Sequence, residues 1–270
     1  NSGWGGGMSN FEQQLANRLY DENMSRKPFS LVHGDLRPPD MAAAYRVQDL
    51  LNARYIAGGR GPVAGYKIGL TSEKIRQMYN VREPISGIIY SSTVHRSPAQ
   101  LKLGDFMHLG IEFELAVEIA RDVPSDALPL NIDTVREFIA ACIPSFELIE
   151  DRNADHDDLD ALSIVVDNGW CGGIVLGETF GDWKALDFAS NSVVMYLNGE
   201  FVEDAVTGDA MGHPFNSITW LADLLARQGK ELKAGDIVLT GSTLATRSPE
   251  LGDKYLYDVE GLGSVSAEIS

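Results

Sequence analysis

The spacing of apolar positions changes from helical to alternating near Val63. Asn10 to about Tyr20 and Pro39 to about Tyr55 repeat their apolar residues every three or four positions, which predicts two helices, the second capped by Asp40. Ser25 to Pro39 between them carries three prolines and reads as a loop, with His33 a surface residue in it. Gly58 to Pro62 marks a turn, and Val63 to Ser72 reads as a strand running into a short helix from about Glu73 to Tyr79, capped by Thr71 and Ser72. From Ile85 onward the pattern is β-rich. Short apolar segments fall at Gly87 to Tyr90, Ile111 to Ala120, Gly173 to Leu176, Val193 to Leu197, Asp236 to Thr240 and Gly263 to Ile269, and Asn198-Gly199 has the chemistry of a two-residue hairpin turn. Two further helices are expected, at Ile132 to Ala141 and at Ser217 to Gln228, the latter closed by Gly229.

The alternation is most regular between Gly110 and Ala120. Ile111, Phe113, Leu115, Val117 and Ile119 point one way, and Glu112, Glu114 and Glu118 point the other. Same-face neighbours on a strand lie roughly 7 Å apart, so the carboxylates of Glu112 and Glu114 can converge on one divalent cation. The same two residues would also suit the wet face of a half-buried strand; a third carboxylate decides between the readings. Glu147, flanked by apolar residues in the alternating run Ile143 to Arg152, is costly to bury without a partner and supplies that third group. Lys67 is a cation inside an apolar run. It reads either as a snorkelling lysine at a sheet edge or as a desolvated lysine beside an anionic ligand.

Composition narrows the setting. The 270 residues are 44% hydrophobic and 23% charged, with no apolar run long enough to cross a bilayer and no secretory signal, so a soluble, cytoplasmic protein is expected. Residues 1–7 read as an expression-vector remnant before Met8. Cys142 and Cys171 lack metal or redox spacing and read as small core residues. A formal net charge of −17 excludes a nucleic-acid partner and requires any anionic substrate to meet positioned cations.

Several stretches occur together in a set order: Gly65-Tyr-Lys-Ile-Gly-Leu-Thr-Ser72, Glu112-Phe-Glu114, Pro144-Ser-Phe-Glu147 with Arg152, Asp167-Asn168, Gly212-His-Pro214, Gly235 to Ser242 and Gly261 to Ser266. On these the chain resembles, from about Phe11 to Ser270, the 2-oxopent-4-enoate hydratase and 4-oxalocrotonate decarboxylase family of the fumarylacetoacetate hydrolase superfamily. The resemblance implies an α+β fold, with a helical N-terminal region over 8–80 and a β-rich, roll-like or sandwich catalytic core over 81–270, in a homo-oligomer. It implies Mg²⁺ or Mn²⁺ held by Glu112, Glu114 and Glu147, and Lys67 in the active site. The reading adds Arg152 supporting the carboxylates and Ser72 and Thr240 binding a small 2-oxo or 2-hydroxy-dienoic acid of aromatic ring-cleavage catabolism. Hard carboxylate ligands without a Cys/His cluster agree with that choice of metal. One position departs. The hydratases are expected to carry aspartate where this chain has Ile85, and an apolar residue there resembles the decarboxylase branch, whereas Gly212 to Leu221 and Leu239 to Ser242 resemble hydratases. Both branches stay open, with a carbon–carbon hydrolase behind them because no His–Glu pair accompanies the N-terminal motif. His213, before a proline, is assigned to a structural turn.

Overall fold

A computed structural model describes residues 10–270, so the reading of residues 1–7 and of a start at Met8 lies outside the described residues. Helices α1 (Asn10–Met24) and α2 (Met41–Tyr55) open the chain; α2 runs on into a wider helical turn over Ile56–Arg60 that breaks at Gly59 (φ 100°), and the chain turns as expected through Gly59 and Gly61 (φ 80°). Asp40 caps α2 by accepting the Ala43 N–H at 2.8 Å. Strand β1 (Val63–Gly69) and helix α3 (Glu73–Met78) follow, and then β2 (Ile85–Tyr90), β3 (Val94–Arg96), β4 (Ala99–Leu101), β5 (Leu109–Ile119) and β6 (Ile139–Glu150). The second half holds α4 (Ala161–Val166), β7 (Cys171–Leu176), β8 (Glu178–Thr179), β9 (Ser192–Leu197), β10 (Glu200–Val206), α5 (Pro214–Arg227), β11 (Ile237–Ser242), β12 (Lys254–Val259) and β13 (Gly263–Ile269).

Two mixed sheets result. The larger has the order β2-β1-β11-β5-β6-β7-β3, and the smaller β10-β9-β12-β13-β4, with β8 paired to β13. The odd-numbered face of β5 packs between the sheets. Phe113 meets Phe146 edge-on, with ring centroids 5.6 Å apart, and Tyr257 of the small sheet at 5.8 Å. The opposite face is not uniformly wet: Ala116 belongs to a second apolar cluster with Ile89, Ile174 and Leu239. Because β1 is the second strand of the large sheet, the helical part ends at about residue 60 and the sheet begins at Val63.

The helix expected at Ile132 to Ala141 is a correction. Only Thr134–Phe138 form a single 3₁₀ stretch, and from Ile139 the chain is extended, because Ala141 and Cys142 pair with Glu118 and Val117 of β5. Long-range strand pairing overrides the local helical spacing. Helix α5 matches its expectation: His213 caps it through Nδ1, which accepts the Phe215 N–H at 3.0 Å, and Gly229 ends it at a φ of 70°. No helix among the described residues is long and apolar enough to cross a membrane.

Candidate active site

The antiparallel register of β5 and β6 sets Glu112 opposite Glu147, and Glu114 one rung further along opposite Ser145. One oxygen from each of Glu112, Glu114 and Glu147 can be chosen so that all three lie within 4.8 Å of one another. Glu114 and Glu147 are fully buried, and Glu112 is half-buried. Their polar partners are few. Glu114 Oε2 accepts the Gly241 N–H at 2.8 Å, Glu112 Oε1 accepts the Thr246 hydroxyl at 2.7 Å, and Glu114 Oε1 and both oxygens of Glu147 have no hydrogen-bond partner among the described residues. Buried carboxylate oxygens without donors are the coordination set that a hard dication satisfies. Burial, reinforced by Glu147 and Glu112, holds Glu114 well above the ordinary carboxyl range. Burial likewise pushes Glu147 up to about 7, with Lys67 opposing the rise and Glu112 adding to it.

Lys67 is 3% exposed and lies on β1 between β2 and β11, so it is no sheet-edge lysine. Its Nζ is 2.7 Å from Glu147 Oε1 and donates to the Gly169 carbonyl at 2.9 Å. Burial lowers its proton affinity, but Glu147 and Glu112 outweigh that effect and keep it protonated. The Gly169 carbonyl is aimed by a left-handed turn in which Asn168, Gly169 and Trp170 all have φ between 57° and 59°. The Asn168 side chain clamps that turn to β2, accepting the Ile88 N–H at 2.8 Å and donating to the Ile88 carbonyl at 2.9 Å. Gly87 allows the approach, since a Cβ there would stand 2.2 Å from the Asn168 carbonyl oxygen.

Lys67, Glu112 and Ser72 open on one cavity of about 770 Å³, whose walls also include Ile75, Leu244 and Trp170. That volume suits a small organic ligand. Ser72 caps α3, its Oγ accepting the Ile75 N–H at 3.3 Å, and its hydroxyl donates to none of the described residues. Ile85 is in the cavity wall.

Two site residues read from the sequence are placed elsewhere. Arg152 is 1% exposed and turned away from the three glutamates: its Nε donates to Asp167 Oδ2 at 3.0 Å and its Nη1 to the Lys27 carbonyl at 2.9 Å. It therefore fixes the residue before Asn168, and through that turn the Gly169 carbonyl. Its own φ of 52° takes the chain off the alternation of β6. Thr240 is fully buried and spends its hydroxyl on the Leu115 carbonyl at 2.7 Å. The pairing of β11 with β5 shifts between Leu239 and Ser242, and Gly241 has a φ of 112°, so Ser242 and Thr243 face the cavity in its place.

His108, Asp151 and His156, which no strand or cap pattern singles out, also line the cavity. His108 Nδ1 is 2.9 Å from Asp151 Oδ1, and His156 Nε2 is 2.6 Å from Asp151 Oδ2. The signal was parity: His108 stands four residues before Glu112, and Asp151 four after Glu147, on the same faces. Neither cysteine supplies a nucleophile: Cys142 is buried, and burial pushes the Cys171 thiol up to about 12.

Residues 71–270 match the model of the fumarylacetoacetate (FAA) hydrolase C-terminal family. The chain is 30% identical over 255 residues to the TodF product hydratase of Pseudomonas putida F1, covering 94% of each chain. It is 28% identical over 267 residues to a 2-hydroxyhexa-2,4-dienoate hydratase of Comamonas testosteroni, covering 96% of this chain and 98% of the relative. Among solved structures, 4-oxalocrotonate decarboxylase from Pseudomonas putida G7, complexed with magnesium and adipate, superposes with a TM-score of 0.88 at 28% identity, covering 96% of this chain and 97% of that one. The chain belongs to the fumarylacetoacetate hydrolase family.

Proposed function

We propose that the protein is a divalent-metal-dependent hydratase that converts a 2-hydroxyalka-2,4-dienoate, by way of its 2-oxo-enoate tautomer, to a 4-hydroxy-2-oxo acid in the catabolism of cleaved aromatic rings. The observation that carries the reading is the cluster of half-buried Glu112 with buried Glu114 and Glu147 facing Lys67, in a chain similar along nearly its whole length to hydratases. The three glutamates would hold Mg²⁺ or Mn²⁺, which when bound supplies the positive charge that a chelating 2-oxo acid and its enolate need. An ammonium has three donors; that of Lys67 donates one to the Gly169 carbonyl and is ion-paired with Glu147 at 2.7 Å, which leaves donor capacity for the substrate's carboxylate or 2-oxygen. Lys67 is also the positioned cation that draws an anion towards a chain of charge −17. Ser72 donates from the cavity wall, and the apolar surface of Ile75, Leu244 and Trp170 shields the carbon chain from bulk water. Arg152, buried against Asp167, acts as a positioning residue. We further read the protein as a cytoplasmic homo-oligomer.

One observation favours a second reading, decarboxylation of a 2-oxo-hexenedioate. Ile85 brings no acid–base group to the cavity wall, in keeping with a structural relative at TM-score 0.88 that is a decarboxylase. Incubating the protein and Mg²⁺ with 2-hydroxypenta-2,4-dienoate and, separately, with 2-oxohex-3-enedioate separates the two. Loss of the dienol with appearance of the 4-hydroxy-2-oxo acid is the expected result. Carbon dioxide release from the dioate without hydration of the dienol would assign the decarboxylase instead.

A further inference from the structure

We propose that His108, oriented by Asp151, is the base that activates water at the far end of the cavity. The proposal rests on the hydratase reading and names the group that reading lacks at Ile85. The β5–β6 ladder carries the site in successive rungs: Glu112 opposite Glu147, Gly110 opposite Ile149, and then, one step beyond the paired residues Leu109 and Glu150, His108 beside Asp151. Alternate residues of a strand are about 7 Å apart, so the α-carbons of Glu112 and His108 are separated by about 14 Å. His108, Gly110, Glu112, Ile149 and Asp151 all line the one cavity, so the three rungs open on a shared space. Gly110 places no side chain on the middle rung. A substrate anchored by its carboxylate end at the glutamates extends over that rung, with its far carbons towards His108.

The hydrogen bonds define what His108 can do. Asp151 is 4% exposed and is further held by the Asn153 N–H, which donates to its Oδ1 at 2.8 Å. A carboxylate only accepts, so each imidazole directs an N–H at Asp151: His108 from Nδ1 and His156 from Nε2. In the neutral ring, a proton on Nδ1 leaves Nε2 of His108 with its lone pair, and Nε2 makes no hydrogen bond to the described residues. This is how a carboxylate fixes the tautomer of a general base. His156 occupies the other carboxylate oxygen and packs on Trp170 with ring centroids 5.8 Å apart, which keeps Asp151 from turning. The root of the His108 ring is fixed as well, since its backbone N–H donates to Glu150 Oε1 at 3.0 Å.

In the step assigned to it, His108 acts after the dienol has been protonated at C5 to give the 2-oxo-3-enoate. The water oxygen forms a bond to C4, one water O–H breaks, and its proton passes to His108 Nε2. The C3–C4 π pair moves towards the 2-oxygen as an enolate. The proton then passes from Nε2 to C3, which restores the ketone and the free base. Water is the only co-reactant.

The test uses the full chain with Mg²⁺ and 2-hydroxypenta-2,4-dienoate in deuterated water. His108→Gln should lower kcat for hydration by about 10²-fold, the scale of one positioned acid–base group. It should leave the Mg²⁺-induced shift in melting temperature, the KM and the rate of deuterium uptake at C5 near wild type, because ketonisation precedes the step that needs His108. Asp151→Asn should reproduce the loss in kcat without a change in KM, and it stands in if His108→Gln does not fold. Wild-type hydration by both variants overturns the proposal, as does loss of C5 exchange in parallel with hydration. A wild type that hydrates nothing and releases carbon dioxide from 2-oxohex-3-enedioate overturns the hydratase reading, and the proposal with it; that failure shows in the wild type and not in the variants.

Discussion

The metal-free protein should lose stability as pH rises through neutrality, and Mg²⁺ should cancel most of the loss. Burial, with Glu112 adding and Lys67 opposing, raises Glu147 from an ordinary 4.5 to about 7, and Glu114 is held well above the ordinary value. A carboxyl with a higher pKa folded than unfolded binds its proton more tightly in the folded state. Its contribution is complete below the unfolded value near 4.5 and is lost as pH climbs through the folded value near 7. For Glu147 alone the difference corresponds to about 3 kcal/mol. In a domain of this size that is a fall in melting temperature on the order of 10 °C. Lys67 stays outside this window, because it too is raised and its contribution fades only above the ordinary lysine range. A dication binds the deprotonated carboxylates and releases their protons, so at one-hundredfold excess over Kd it should return about 2.7 kcal/mol, with more effect near pH 8 than near pH 6. The assay is thermal unfolding of chelator-treated protein between about pH 5 and about pH 8, with and without Mg²⁺. The Glu114→Gln, Glu147→Gln double variant is the reference that subtracts every other titrating group. A wild-type curve parallel to that reference, or a Mg²⁺ shift independent of pH, would refute the reasoning.

Three other perturbations separate the roles of the surrounding residues. Glu114→Gln keeps the shape of the ligand but replaces an anionic oxygen with a neutral amide, so turnover should fall by at least about 10²-fold with the fold retained; undiminished activity of chelator-treated wild type would contradict this. Lys67→Met should weaken oxalate binding, measured by calorimetry with Mg²⁺ present, more at low salt than at high salt, since the field of a chain of charge −17 is least screened there. An unchanged oxalate affinity would confine Lys67 to a structural role. Asp167→Asn strands the guanidinium of Arg152, which is 1% exposed, and should cost about 3–5 kcal/mol in denaturant unfolding, whereas a loss below about 1 kcal/mol would show that the Lys27 carbonyl suffices.

What could be read from the sequence was what strand alternation and helix caps encode locally. Period two located β5 and the parity of its carboxylates; Asp40 and Gly229 marked ends of α2 and α5. Where long-range pairing or an unusual φ decides the outcome, the pattern misled. Residues 139–141 joined a strand because β5 was there to pair with them. Thr240 lost its place to Ser242 and Thr243 because the pairing shifts at Gly241. Arg152 left the glutamates because the chain turns left-handed at its own α-carbon. Helix α4 is six residues long, too short for a 3.6-residue period to show, and Asp160 is its one local mark, accepting the Ser163 N–H at 2.8 Å.

The β5–β6 register joins fold and function most tightly. Glu114, Glu112 and Gly110 lie on one face of β5, with His108 continuing the same parity; Glu147 and Ile149 answer them from β6, with Asp151 beyond. Phe113 and Phe146 fill the other face and are fully buried. A slip of one residue exchanges the faces of a strand. On β5 it would aim Phe113 at the cavity and drive Glu112 and Glu114 into the space between the sheets, where an unpaired charge costs several kcal/mol. The aromatic pair that stabilises the core therefore also selects the register that gathers the carboxylates. It follows that Phe113→Leu, although remote from solvent and from substrate, should loosen the spacing of the three glutamates and lower Mg²⁺ affinity beyond what its loss of core packing accounts for.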